Sequence, residues 1–308
     1  MRNNANNPTG RKAYIVTGPT SGIGLATALE VAKHGAVVLA GRDGGKLRQV
    51  QGEIERGGGH AASVVCDLSD LASVRRAAVE IVALDLSIEG LVNNAGIFPM
   101  RAAKSALGWD NAFVTNHIGP FVLTEALIPH LSDGANVVFI ASGVEDPERM
   151  PAKMAGFRGA RYISAEASAR GEWEPYGSKM PGADAYATSK QCALATALAF
   201  ARETPRLHFN AVEPGFSPET GLGRDAPAFL RWISKYVLSL LAPYIKYWGT
   251  PKLAALVITK VLLNESNETG QYYDEKGQPM LGSVLVRDPK FQDRVVAETR
   301  ALLSTIPK

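Results

Sequence analysis

Short runs of β-branched and apolar residues alternate along the chain with longer stretches of helical periodicity. Ala13 to Thr17, Ala36 to Ala40 and Ala62 to Cys66 are predicted strands, with amphipathic helices between them. The rhythm continues through a strand at Gly90 to Asn93, a helix over Trp109 to His130 that ends near Ser132 to Gly134, and a strand at Asn136 to Ala141. A helix from Asp184 to Glu203, a strand from Leu207 to Val212, helices over Ala226 to Tyr247 and Pro251 to Leu263, and a last strand within Gly270 to Asp274 complete the pattern. Strands this apolar belong in a sheet covered on both faces, and strand-helix alternation predicts a parallel one. The expected fold class is therefore α/β, a doubly wound parallel sheet.

One stretch breaks the rhythm. Between Ser142 and Tyr186 a Gly-, Arg-, Ala- and Pro-containing segment is too long for an ordinary connection. Residues 143–185 are expected to form an insertion over the active site, and 216–250 a helical substrate lid. No linker or internal repeat divides the remainder, so 12–308 is expected to be a single domain after a polar, Asn-rich lead-in at 1–11, read as disordered.

Composition narrows the function classes. The chain has 308 residues, 46% of them hydrophobic, enough for a substantial core. A formal net charge of +3, from 33 basic and 30 acidic residues, is too balanced for a partner held through nucleic-acid phosphates. Cys66 and Cys192 are far apart and lack metal-ligand spacing, so neither a disulfide framework nor a metal site is expected. The most apolar stretch, Phe229 to Trp248, is broken by Arg231, Lys235, Pro243 and Lys246, which argues against a membrane span. A soluble cytoplasmic protein acting on a small molecule is the expectation.

The first strand runs into Thr17-Gly18-Pro19-Thr20-Ser21-Gly22-Ile23-Gly24, and a helix begins near Leu25. Glycines allow a tight turn and close backbone approach, while the helix N-terminus stabilises negative charge, so such a turn suits a dinucleotide pyrophosphate. Taken alone it is equally compatible with a plain strand-to-helix connection. The spacing T-G-x-x-x-G-I-G resembles the short-chain dehydrogenase/reductase family, and further motifs follow in order: Asp67-Leu68, Asn93-Asn94-Ala95-Gly96, Asn116, Ser142, Tyr186-Ala187-Thr188-Ser189-Lys190 and Pro214-Gly215. The resemblance covers Ala13 to about Asp274 and implies a Rossmann-type nucleotide-binding fold with a nicotinamide cofactor. Its narrower likeness is to the retinol dehydrogenase and protochlorophyllide reductase-like branch.

By that resemblance Gly18, Thr20, Ser21, Gly22, Ile23 and Gly24 approach the pyrophosphate, and Asp67 and Leu68 hold the adenine. Asn94, Ala95 and Gly96 lie along the nicotinamide ribose, with Pro214 and Gly215 beside the carboxamide. Asp67 is also a possible helix cap. Gly41 stands where NAD-preferring relatives carry an acid, and Arg42 beside it suits a 2′-phosphate, so NADP(H) is preferred and NAD(H) possible. The bland reading of Arg42 is a solvated charge paired with Asp43. Thr220 is assigned to the cofactor although Glu219 occupies the position where relatives often have Thr.

Tyr186 and Lys190 are four residues apart on a predicted helix and so share a face. A nearby ammonium favours the phenolate, so Lys190 is expected to lower the Tyr186 pKa and make it an acid/base. Ser142, after the strand Asn136 to Ala141, would polarise the substrate oxygen. The resemblance gives Asn116, in Asn116-His117-Ile118-Gly119-Pro120-Phe121, the task of anchoring a proton relay within a locally irregular helix. His117 and Cys192 are expected to be packed rather than reactive.

The expected activity is hydride transfer between nicotinamide and a carbonyl or secondary alcohol, with a bulky hydrophobic substrate suggested by the aromatic content of the insertion and lid. Reduction of a conjugated C=C bond and a non-catalytic NADP(H)-binding regulatory role are the alternatives. A monomer or homodimer is expected, since the insertion would obstruct helix faces used for larger assemblies.

Overall fold

Successive residues of the central strands point into different layers, and both layers are apolar. In β1 (Lys12–Thr17), Ile15 enters one core, while Tyr14 and Val16 enter the other. The computed structural model describes residues 11–99, 102–154, 156–173, 181–215, 249–263 and 267–306. Its sheet is ordered β3-β2-β1-β4-β5-β6-β7, and every adjacent pair is parallel. The other strands are β2 (Ala36–Gly41), β3 (Ala61–Val65), β4 (Ser87–Asn93), β5 (Leu131–Ile140), β6 (His208–Val212) and β7 (Tyr272–Tyr273).

The helices are α1 (Gly22–Val31), α2 (Gly44–Arg56), α3 (Leu71–Ala83), α4 (Asn111–Phe113), α5 (Gly119–Leu127), α6 (Met150–Met154), α7 (Ala165–Arg170), α8 (Pro181–Glu203), α9 (Pro251–Leu263) and α10 (Pro289–Ser304). One core takes its helical residues from α1, α2 and α9, the other from α3, α4, α5, α7, α8 and α10. Strand order reverses between β1 and β4, the place where open α/β sheets bind ligands beyond their carboxyl strand ends. Among the described residues, no helix is long and apolar enough to cross a membrane.

The predicted elements recur with three differences. The helix expected to stop near Ser132 to Gly134 ends earlier, and Leu131 already pairs with Ile88 in β5. Those polar residues look like a loop because they sit at an exposed strand end, where Arg206 donates to the Leu131 carbonyl at 2.8 Å. Asp67 is not the cap of α3. Asp70 accepts from the Ala72 amide at 3.0 Å instead, while Asp67 Oδ1 binds the Ser69 amide and hydroxyl at 2.9 and 2.7 Å. The last strand contracts to Tyr272–Tyr273, because Asp274 turns the chain by accepting from the Lys276 and Gln278 amides. The expected helix over Ala226 to Tyr247 lies outside the described residues, as does almost all of the lid at 216–250.

The insertion is anchored at several places. Arg158 pairs with the buried Asp184 through Nε to Oδ1 at 3.0 Å and Nη2 to Oδ2 at 2.6 Å. The Arg161 amide donates to Thr188 Oγ1 at 2.8 Å, and Tyr162 donates to Glu298 of α10 at 2.7 Å. These bonds seat the segment along α8 and α10.

Candidate active site

The turn after β1 is built by close backbone approach. Gly18 has φ +65°, and a Cβ on Gly24 would lie 2.2 Å from the Gly18 carbonyl oxygen and 2.4 Å from Asn94 Nδ2. No other residue fits there without moving backbone. Asn94 then ties two strand ends together, since its Nδ2 donates to the Thr17 carbonyl at 2.8 Å. Thr17 Oγ1 accepts from the Asn94 and Ala95 amides at 2.9 and 3.0 Å and donates to the Val92 carbonyl at 3.2 Å. Thr17 is therefore a positioning residue that the sequence motif contained without revealing its work.

Residues from four elements meet at the carboxyl end of β5. Asn116 lies in a π-helical turn, Val114–Ile118, joining α4 to α5, the local irregularity its motif implied. Its carboxamide accepts from the Ile97 amide at 2.8 Å and donates to the Ile97 carbonyl at 2.9 Å and Ser189 Oγ at 3.0 Å. Gly96 lies against this group, and a Cβ there would stand 3.2 Å from Asn116 Oδ1 and 3.6 Å from Lys190 Nζ. Lys190 Nζ is 5.6 Å from the Tyr186 ring centroid, as expected for one turn of α8. The Ser142 hydroxyl faces the Tyr186 phenol closely enough to oppose the rise of its pKa.

The electrostatics correct one expectation. Burial pushes the Tyr186 phenol up to about 12; the nearby Ser142 hydroxyl opposes the rise and the Glu213 carboxylate adds to it. Lys190 is itself pushed down to about 8 by burial, and its Nζ donates to the Ile140 carbonyl at 2.7 Å. With this lysine directed at a backbone oxygen, desolvation outweighs ammonium stabilisation of the phenolate.

The remaining cofactor candidates are placed around the same strand ends. The first turn of α1 contains no acidic residue, so the amides after Thr20 and Ser21, including those of Gly22 and Ile23, face no carboxylate of that turn. Arg42 is exposed beyond β2, and Asp43 pairs with Lys46 at 3.5 Å while capping α2, so the Arg42 to Asp43 pairing is not formed. Gly41 packs near Pro19 and Leu47 with no acid in its place. Leu68 is buried behind Asp67. Pro214 and Gly215 follow β6, whereas Thr220 lies outside the described residues. A cradle closed to side chains at Gly24, a helix N-terminus without acid and the exposed Arg42 together fit a phosphorylated dinucleotide.

A family model described as short chain dehydrogenase matches residues 12–154. Polyprenol dehydrogenase from Mus musculus is 31% identical, with 94% of this chain and 83% of that protein covered. The chain belongs to the short-chain dehydrogenase/reductase family. This short-chain dehydrogenase/reductase resembles the retinol dehydrogenase branch: retinol dehydrogenase 11 from Homo sapiens is 39% identical over 40% of each chain. Two other curated relatives are matched over 64% of their own length. A solved structure of an uncharacterized protein from Mycobacterium Paratuberculosis superposes with a TM-score of 0.71 at 26% identity, covering 98% of this chain and 97% of that one. Members of the family are oxidoreductases that bind NAD(P)(H).

The short-chain dehydrogenase/reductase also carries an aromatic wall that sequence reasoning missed. Phe98, from the loop after β4, packs edge-on against Tyr186 with centroids 5.1 Å apart. Phe157, from the insertion, lies 5.6 Å from Phe98 and 6.5 Å from Tyr186. His117 and Cys192 are buried, as expected; His117 bonds Thr299 Oγ1 at 3.0 Å, and burial pushes its pKa down to about 3.

Proposed function

We propose that this protein is an NADP(H)-preferring oxidoreductase that interconverts a carbonyl and an alcohol on a bulky apolar substrate. The observation that carries the reading is the Ser142 hydroxyl facing the Tyr186 phenol beside a buried Lys190 and two phenylalanine rings. Tyr186 holds its proton at neutral pH, so it is ready to donate to a carbonyl oxygen, which Ser142 polarises. Lys190, held to the Ile140 carbonyl one turn from Tyr186, and Asn116, bonded to the Ile97 backbone, flank the phenol. Bound nicotinamide supplies the hydride. Gly18, Thr20, Ser21, Gly22, Ile23 and Gly24 would hold the pyrophosphate and Arg42 the 2′-phosphate, with Asp67, Leu68, Asn94, Ala95, Gly96, Pro214 and Gly215 along the rest.

Phe98 and Phe157 support an apolar substrate, as do the names of polyprenol dehydrogenase and retinol dehydrogenase 11, both taken from alcohols with long apolar carbon chains. The test is NADPH oxidation with a panel of carbonyl compounds, comparing the protein with Tyr186→Phe. Turnover of apolar ketones or aldehydes that Tyr186→Phe loses while still binding NADPH is the expected result. Turnover confined to small polar carbonyls, or unaffected by Tyr186→Phe, refutes it, and saturated carbonyl products would instead identify C=C reduction.

A further inference from the structure

Arg149, between the Ser142 turn and α6, is four-fifths buried although nothing in the proposed reaction requires an arginine there. Its Nη1 lies 2.6 Å from Glu213 Oε2, at the end of β6 immediately before Pro214-Gly215. The amide of Gly143, the residue after Ser142, faces the same carboxylate and, with Arg149, opposes the burial that pushes its pKa up to about 7. The guanidinium lies over that same residue, where a Cβ on Gly143 would meet Arg149 Nη1 within 2.4 Å. Glycine at 143 is thus what lets the arginine reach the carboxylate.

We propose that Glu213 and Arg149 are positioning residues for the reaction: they clamp the Ser142–Gly143 turn to the end of β6, fixing the Ser142 hydroxyl against Tyr186 and tying the insertion to the active site. The inference rests on the oxidoreductase reading above. Two features of the geometry support it. Arg149 of the insertion packs against Gly143 of the turn and pairs with Glu213 after β6, so three segments meet at the ion pair. The Glu213 charge also lies near Tyr186, where it opposes phenolate formation. The groups facing Glu213 are Arg149, the Gly143 amide, Tyr186 of α8, Tyr272 of β7 and Glu275 after β7; Glu145 faces Tyr272 from the turn itself.

Opposite charges in the clamp give opposite signatures. Glu213→Gln removes a negative neighbour of Tyr186 and is expected to move the limb of the oxidation profile along which activity rises with pH, where Tyr186 loses its proton, to lower pH. Arg149→Met leaves the Glu213 charge uncompensated and is expected to move it higher. Glu213→Asp, which keeps the charge but shortens the reach, is expected to lower kcat and leave the limb in place. A loss of activity equal at every pH in Glu213→Gln and Arg149→Met, or shifts of the same sign, overturns the proposal.

Hydrogen exchange of the cofactor-free protein gives a readout that needs no substrate. In Glu213→Leu, which removes the acceptor, the peptide spanning 142–149 is expected to exchange about tenfold faster, with the β1 to α1 segment unchanged, for the loss of the buried pair with Arg149. Unchanged exchange overturns the clamp even if every substrate is turned over. If no substrate is turned over, the oxidoreductase reading fails while the exchange result still decides whether the clamp exists.

Discussion

Replacing Lys190 by Met is expected to stabilise the fold at neutral pH while abolishing turnover. Lys190 is 4% exposed, and burial alone lowers its pKa from 10.5 to about 8. Each pH unit of displacement corresponds to about 1.4 kcal/mol, so holding the ammonium inside costs the fold about 3 kcal/mol at pH 7. Methionine keeps much of the apolar stem, but the Ile140 carbonyl loses the donor that lies 2.7 Å away. A hydrogen bond from a charged donor is worth about 1.5–3 kcal/mol, which leaves a net gain of about 1 kcal/mol in the variant.

The sign depends on pH. The folded pKa lies below the unfolded one, so between about pH 8 and 10.5 the unfolded chain binds the extra proton and wild-type stability rises with pH. The penalty is full below that window and gone above it. Lys190→Met should therefore be the more stable protein at pH 7 and the less stable one near pH 10.5, where only the lost bond to Ile140 remains. Urea unfolding of both proteins across this range, with unchanged m, measures the crossover. A variant less stable at pH 7 by an amount that does not vary with pH refutes the reasoning.

Three further outcomes test other parts of the site. Gly24→Ala places a methyl 2.2 Å from the Gly18 oxygen; a loss of about 1–3 kcal/mol in thermal unfolding is expected, with NADPH binding lost by fluorescence titration, and normal binding would falsify the close-packed turn. Arg42→Ala is expected to raise KM for NADPH about tenfold or more and leave NADH kinetics nearly unchanged, as loss of a charge-assisted phosphate contact requires. Phe157→Ala should reduce kcat/KM for bulky apolar carbonyls about tenfold and spare small ones; equal losses across the panel would mean that the ring supports the insertion rather than the substrate.

What was legible in the sequence is what belongs to a single element or its end. The glycine turn, Asn94 and Tyr186 with Lys190 could be placed because each sits at a fixed offset from a strand or along one helix face. The helix Pro289–Ser304 carried equally local signals, an Asp288 cap and proline at its first position, yet it followed a segment already taken as the end of the pattern. The Lys190 effect on Tyr186 was misjudged for a different reason. Helical spacing supplies proximity, but the balance between ammonium and phenol depends on burial and on the Ile140 carbonyl, which spacing does not contain.

The pieces that would decide substrate choice lie further from local pattern. Phe98 and Phe157 share no element and no period, and each, considered alone, is an ordinary loop aromatic. They converge on Tyr186 because Arg158 and the Arg161 amide bind α8, and that docking seats the insertion beside the loop after β4. Chemistry carried on strand ends and one helix is thus encoded by sequence offset, while the aromatic wall proposed to meet the substrate is encoded by the ion pairs and hydrogen bonds that dock an irregular segment. Substitutions at Arg158 or Asp184 should accordingly alter substrate preference without touching a group that meets the substrate.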